Sequence, residues 1–291
     1  MKRIKLEHII FGGLLVALAA FRLASPSMLY TVQAANYGPG YGPSEGGQTE
    51  GYVDSLYEVV LGRGADAEGR EYWAQRLKDG SETGASLLST FFLGDELKNK
   101  NLSNEEYVRL AYNGALGRDP DTEGLAYWVD ALNSGASPQF VVCGCVDSQE
   151  FAYKCNRYGI TKGSISVTEE RDKNLGATKF VSRLYTKALG RSFDVDGINY
   201  WCGIINSDSS RDNIIRVAME GCYHSQEFLN KNLSDRDFVT VAYRTFLGRE
   251  ADPEGYNYWL GQLAGGMSRD EMIRNCAYSQ EFSNIMASYG L

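Results

Sequence analysis

Four times along this chain an amphipathic segment runs into the same short word. Val53 and Tyr57, Val108 and Tyr112, Val181 and Tyr185, and Val239 and Tyr243 stand eight and four residues before a Leu-Gly-Arg, with Tyr52, Tyr107, Phe180 and Phe238 just ahead. Apolar residues at this spacing share one side of an α-helix, so each segment predicts a helix with a wide buried face. Gly62, Gly117, Gly190 and Gly248 follow the last apolar residue. A left-handed C-terminal turn costs glycine least, so the first helix of each unit is expected to stop there. Asp66, Asp121, Asp194 and Asp252 come next and predict the caps of a second helix, their carboxylates accepting from unpaired first-turn amides. Pro253 stands just inside, as a first-turn proline should.

The second helix carries a Tyr-Trp pair and is expected to end near Asp79-Gly80, Ser134-Gly135, Asn206-Ser207 and Gly265-Gly266. Ser81, Ser137, Ser210 and Ser268 are candidate caps of a third helix, with Ser268 and Glu271 spaced as a capping box. Near its end comes Ser-Gln-Glu-Phe, at Ser148–Phe151, Ser225–Phe228 and Ser279–Phe282, weakened in the first unit to Gly94-Asp95-Glu96-Leu97; it predicts a short fourth helix. Units one and three share an exit, Asn99–Ser103 and Asn230–Ser234, with Ser103/Glu106 and Ser234/Asp237 as capping pairs.

The complete signature is Leu-Gly-Arg-x-x-Asp-x-x-Gly-x-x-Tyr-Trp, at Leu61–Trp73, Leu116–Trp128, Leu189–Trp201 and Leu247–Trp259, and it holds all four tryptophans of the chain. The spacings between successive tryptophans, 55, 73 and 58 residues, divide the units two by two. The expected fold is therefore all-α, with tandem helical repeats in four units arranged as two pairs. Residues 52–151 are expected to form pair one and residues 180–291 pair two, joined by a linker at 152–179 that carries the charged run Glu169–Lys173. The sequence is compatible with both a compact double pair and a short solenoid.

Ahead of the repeats, Lys2, Arg3 and Lys5 precede an apolar run from Ile9 to Phe21, and small residues follow at Ala34 and Ala35. The run is shorter than the roughly 20 residues of a membrane span, so residues 1–34 read as a signal peptide cleaved after Ala34 or Ala35. An uncleaved anchor is the competing reading. Residues 35–51, with Tyr-Gly-Pro occurring twice, lack helical or strand periodicity and read as a flexible spacer. Either way the body is expected outside the cytoplasm. Removing residues 1–34 takes away four basic side chains and Glu7, a net +3, and moves the formal charge from −8 to −11. That surface repels phosphate backbones and anionic lipid, which argues against nucleic acid and against membrane contact beyond the signal segment.

These residues resemble the bacterial domain-of-unknown-function 4214 family, whose hallmark is Leu-Gly-Arg, then Asp, Gly and Tyr-Trp at these separations, followed by a Ser-x-Glu-Phe word. The pattern is more distantly similar to the helical linker domains of phycobilisomes. The resemblance spans roughly residues 52–282 and implies a helical module typical of secreted or surface proteins. It carries no catalytic residue with it.

Candidate chemistry is sparse. Asp119–Gly124 resembles the start of a calcium loop, but the first position is Gly64, Ser192 or Glu250 in the other copies. The twelfth position, where a bidentate Glu closes a calcium shell, is Gln75, Asp130, Gly203 or Gly261. Capping by the Asp, with a salt bridge to it from Arg63, Arg118, Arg191 or Arg249, is the preferred account. The pairs Tyr72/Trp73, Tyr127/Trp128, Tyr200/Trp201 and Tyr258/Trp259 suit sugar stacking as well as repeat-to-repeat packing. Neighbours on a helix point about 100° apart, so at most one of each pair can lead a binding face while the other packs inward, and core packing is the preferred reading. Six cysteines, Cys143, Cys145, Cys155, Cys202, Cys222 and Cys276, permit three disulfides, Cys202–Cys222 and Cys143–Cys155 among the candidates. Against that, Cys145, Cys222 and Cys276 align with Phe91, as buried apolar positions would. His224 is the sole histidine after the signal, which leaves a histidine-activated nucleophile or zinc site little to draw on.

The sequence thus points to no catalytic, metal or cofactor site. The expected role is an exported, non-enzymatic binding or scaffold protein of the bacterial cell envelope or extracellular space, secreted or held at the surface, contacting an extracellular protein or glycan. The alternatives are a polysaccharide-acting enzyme using unrecognised carboxylates and a calcium-stabilised structural module.

Overall fold

The amphipathic segments become helices, and their apolar faces close into two cores. The computed structural model describes residues 48–291; the expected signal segment, the cleavage expected after Ala34 or Ala35 and most of the expected 35–51 spacer lie outside them. Among the described residues there are seventeen α-helices and no strand. Unit one comprises α1 (Gln48–Leu56), continued by a π-helical turn over Tyr57–Leu61, then α2 (Ala67–Lys78), α3 (Gly84–Leu93) and α4 (Asp95–Lys98). Unit two is α5 (Asn104–Leu116), α6 (Thr122–Asn133), α7 (Pro138–Asp147) and α8 (Gln149–Arg157). A short α9 (Glu170–Lys173) precedes unit three, which is α10 (Leu175–Arg183) with a π-helical turn Leu184–Leu189, α11 (Val195–Ser207), α12 (Arg211–Ala218) with a π-helical turn Met219–Tyr223, and α13 (Gln226–Leu229). Unit four is α14 (Asp235–Ala242) with the turn Tyr243–Leu247, α15 (Pro253–Ala264), α16 (Arg269–Ala277) and α17 (Gln280–Tyr289).

Units one and two share a core that includes Tyr52, Leu56, Phe92, Val108, Val142 and Phe151, and units three and four share one built around Phe180, Val181, Ile198, Phe246, Met272 and Phe282. The four units are thus tandem repeats packed as two pairs. In units two, three and four the fourth helix starts under its Ser-Gln-Glu-Phe serine, whereas α4 starts after Gly94 without a side-chain cap. Ser148, Ser225 and Ser279 accept from the amides of Phe151, Phe228 and Phe282 at 3.1, 3.2 and 3.1 Å. Capping boxes close the N-termini of α5 and α16 at Ser103/Glu106 and Ser268/Glu271. Among the described residues, no helix is long and apolar enough to cross a membrane.

Four local expectations need correction. The spacer does not extend to residue 51, because α1 begins at Gln48 and Gly51 is already buried. Residues 152–179 are not a loose linker. The chain stays in α8 to Arg157, Tyr158 and Ile160 join the first core, and the carbonyls of Thr161 and Lys162 each accept from the first amides of α3 at 2.8 Å. These carbonyls satisfy amides that a helix cannot pair internally. Pair two starts earlier than 180, since α10 begins at Leu175. Thr83 rather than Ser81 caps α3, because the Ser81 hydroxyl turns back to Asp79 at 2.6 Å.

Candidate functional site

The signature assembles one small structure four times. Its Gly takes a left-handed backbone, with φ of 66, 74, 72 and 72° at Gly62, Gly117, Gly190 and Gly248. Its Asp caps the second helix, Asp66, Asp121, Asp194 and Asp252 accepting from the amides of Gly69, Gly124, Gly197 and Gly255 at 2.7–2.8 Å. That second glycine lies against the hydroxyl of the tyrosine four residues before the Leu. A Cβ there would approach the oxygens of Tyr57, Tyr112, Tyr185 and Tyr243 to 2.6, 2.8, 2.1 and 2.5 Å. The tryptophans pack against the cores, and the indole N–H of Trp128 and of Trp259 donates to Tyr112 and Tyr243, both at 3.1 Å.

The Arg has a different principal partner from the one expected. Its guanidinium lies over the same tyrosine ring, 4.8–5.3 Å from the centroid, and forks onto the Glu of the fourth helix. The pairs are Arg63–Glu96, Arg118–Glu150, Arg191–Glu227 and Arg249–Glu281, each with an Nε contact of 2.7 Å. The capping Asp is secondary, at 3.9 Å from Arg63, 3.3 Å from Arg191 and 3.2 Å from Arg249. Hydrogen bonding to these guanidiniums holds the carboxyls of Glu96 and Glu227 below the usual range. The signal was present in the sequence: Glu96 survives in the first unit, where the rest of the Ser-Gln-Glu-Phe word is lost. A second set of cations caps the first-helix carbonyls. Lys100 and Lys231 reach Leu61 and Leu189 at 2.6 and 2.8 Å, Lys154 reaches Gly114 at 2.6 Å, and Arg183 reaches Thr245 at 2.5 Å. Burial pulls the Lys154 ammonium down to about 8.

The remaining expected chemistry is absorbed by the fold. Asp119 accepts from the Asn113 side-chain amide at 2.7 Å and Asp121 is engaged as a cap, so one oxygen of each of these two carboxylates is already bonded within the fold. Among the described residues no group of three His, Cys, Asp or Glu stands close enough to share a metal ion. All six cysteines are buried and unbridged, so neither Cys202–Cys222 nor Cys143–Cys155 forms a disulfide. Burial pushes the thiols of Cys143 and Cys155 up to about 11, and those of Cys145, Cys202, Cys222 and Cys276 up to about 12, the opposite of what a nucleophile needs. His224 pairs with Asp270 at 3.0 Å on the surface.

One signature position turns outward. The tyrosine of each Tyr-Trp pair faces solvent: Tyr72 is 53% exposed, Tyr127 42%, Tyr200 63% and Tyr258 42%. Each ring meets its tryptophan edge-on, with centroids 4.8–5.0 Å apart, so its direction is held by a neighbour that packs inward. One helical turn earlier stands an exposed acid, Glu68, Glu123, Asp196 or Glu254, a recurrence the sequence reading passed over between the capping Asp and the Gly. These side chains lie on an open helix surface. An open hollow of about 390 Å³ beside α15, lined by Thr240, Glu250, Ala251, Pro253, Tyr256 and Asn257, does not include Tyr258.

A family model described as a domain of unknown function, DUF4214, matches the chain four times, at residues 41–101, 88–155, 163–221 and 219–286. No curated protein matches it.

Proposed function

We propose, from the premise that the chain belongs to the DUF4214 family, that it is an exported, non-catalytic binding or scaffold protein of the bacterial cell envelope or extracellular space. It contacts proteins or glycans through its repeated helical surfaces. The observation that carries this reading is the exposed tyrosine of every unit. The Gly, Arg, Asp and Trp of the signature are spent on helix ends and packing, whereas Tyr72, Tyr127, Tyr200 and Tyr258 turn a ring outward at equivalent places. A rigid aromatic that recurs on a surface and is held by its neighbour offers contact area at little entropic cost. Export rests on the basic residues Lys2, Arg3 and Lys5 ahead of the apolar run Ile9–Phe21.

The test is capture by the immobilised full chain from envelope extract and from an array of bacterial glycans. A protein or glycan retained by the parent chain and released by soluble parent supports the role. Capture of neither class overturns it.

A further inference from the structure

The outward tyrosines come with a carboxylate and, in one unit, with an occupant. Glu68 and Tyr72 are four residues apart on α2, as are Asp196 and Tyr200 on α11 and Glu254 and Tyr258 on α15. Side chains at that spacing are neighbours on one helix face. All three acids are exposed, and none has an ion pair or hydrogen bond, unlike the acids of the Arg–Glu forks. A negative charge beside an open ring face attracts a cation twice, through the carboxylate and through the ring quadrupole. In unit one the chain supplies a cation for the ring itself: the Arg76 guanidinium carbon lies 5.5 Å from the centroid of the Tyr72 ring, one turn further along α2, while its ion pair, at 3.5 Å, is with Glu82 rather than Glu68. In units three and four the same position is Ile204 or Gln262, so no cation of this kind covers Tyr200 or Tyr258.

We infer that Tyr200 with Asp196, and Tyr258 with Glu254, are binding sites for arginine side chains of a basic protein segment. The inference rests on the binding role proposed above and deepens it. The acidic balance of the whole chain, −8, favours the same partner by drawing basic segments toward the surface before the rings engage them. A neutral glycan would use the rings but would gain nothing from formal charge at Asp196 and Glu254.

The experiment measures binding of the full chain to a synthetic peptide alternating arginine and glycine. It compares the parent with Tyr200→Ala/Tyr258→Ala, with Asp196→Asn/Glu254→Gln, and with a control that removes two exposed charges elsewhere, Glu58→Gln/Asp147→Asn. Replacing exposed rings leaves the cores intact, so the melting temperatures of all four proteins should agree. The expected result is a loss of about fivefold or more in affinity for the tyrosine and the acid variants, against less than about twofold for the control. Equal losses in the control and acid variants would reduce the attraction to net charge and overturn the proposal. So would parent-like binding by the tyrosine variant. A neutral oligosaccharide that displaces the peptide and loses its own binding in the tyrosine variant, but not in the acid variant, would assign the rings to glycans. That outcome sinks the arginine sites while leaving the general binding role standing.

Discussion

The second glycine of the signature is needed for a reason that backbone propensity does not supply. Gly197 is the third residue of α11 and helical, so alanine would be the better helix former on its own. A Cβ there would lie 2.1 Å from the Tyr185 hydroxyl and 2.7 Å from an Asp194 carboxylate oxygen. Tyr185 cannot swing clear, because its ring is buried under the Arg191 guanidinium. Gly197→Ala is therefore expected to destabilise the protein by about 1–3 kcal/mol, the usual range for overpacking. Gly261, in the middle of α15 with nothing within 4 Å of its missing Cβ, is the control. Gly261→Ala should be neutral or stabilising by up to about 1 kcal/mol. Urea denaturation midpoints read both, and equal effects at the two sites would refute the close-approach account.

Between elements, the recurring device is the fork that ties the end of each first helix to its fourth helix. Arg118–Glu150 is the least exposed of the four, with side chains 34% and 22% accessible. Its fork has Nε and Nη2 contacts of 2.7 Å each, while Nη1 donates to the Asp119 carbonyl at 3.0 Å. A double-mutant cycle of Arg118→Ala and Glu150→Ala should give a coupling of about 0.5–1 kcal/mol, at the upper end for a partly solvated pair. A coupling within error of zero would mean that ring stacking on Tyr112, rather than the carboxylate, holds the arginine. The first helices show a second element-level feature. Three of the four widen into a π-helical last turn before the Gly, at Tyr57–Leu61, Leu184–Leu189 and Tyr243–Leu247, whereas α5 stays α-helical through Leu116.

At the scale of the molecule, two cores are joined by α9 and the residues around it. Asp172 is buried and accepts from the Ser137 amide at 2.8 Å and from its hydroxyl at 2.5 Å. Arg171, also buried, donates to the Gly135 carbonyl at 3.2 Å, and Asn199 of α11 bonds the Arg171 amide and Glu169 at 3.0 and 2.8 Å. Ser137 holds the cap position of α7, yet its hydroxyl serves this junction instead of the helix. Burial raises the Asp172 carboxyl above its ordinary value despite these bonds, which marks the cost of placing it there. Asp172→Ala leaves the Ser137 donors buried without an acceptor and should cost about 1–3 kcal/mol, whereas Asp172→Asn, which keeps an acceptor, should cost less. Equal denaturation midpoints for parent and both variants would show that the junction contributes no stability.

The sequence alone determined the number of units, their grouping in pairs and the ends of the first and second helices. Those features follow from local physics: apolar spacing along one helix, a left-handed turn that favours glycine at Gly62 and its equivalents, and a carboxylate that caps at Asp66 and its equivalents. Tertiary structure alone decided where the signature arginines pair, since Glu96, Glu150, Glu227 and Glu281 lie 32–36 residues away and compete on paper with nearer aspartates. It also decided that residues 152–179 form a bonded strap and junction, because their charged side chains reveal no purpose until Ser137, Gly135 and Asn199 are brought beside them. Helix geometry limited each Tyr-Trp pair to at most one outward member. Which member, and which carboxylate stands free beside it, depended on where the cores lie.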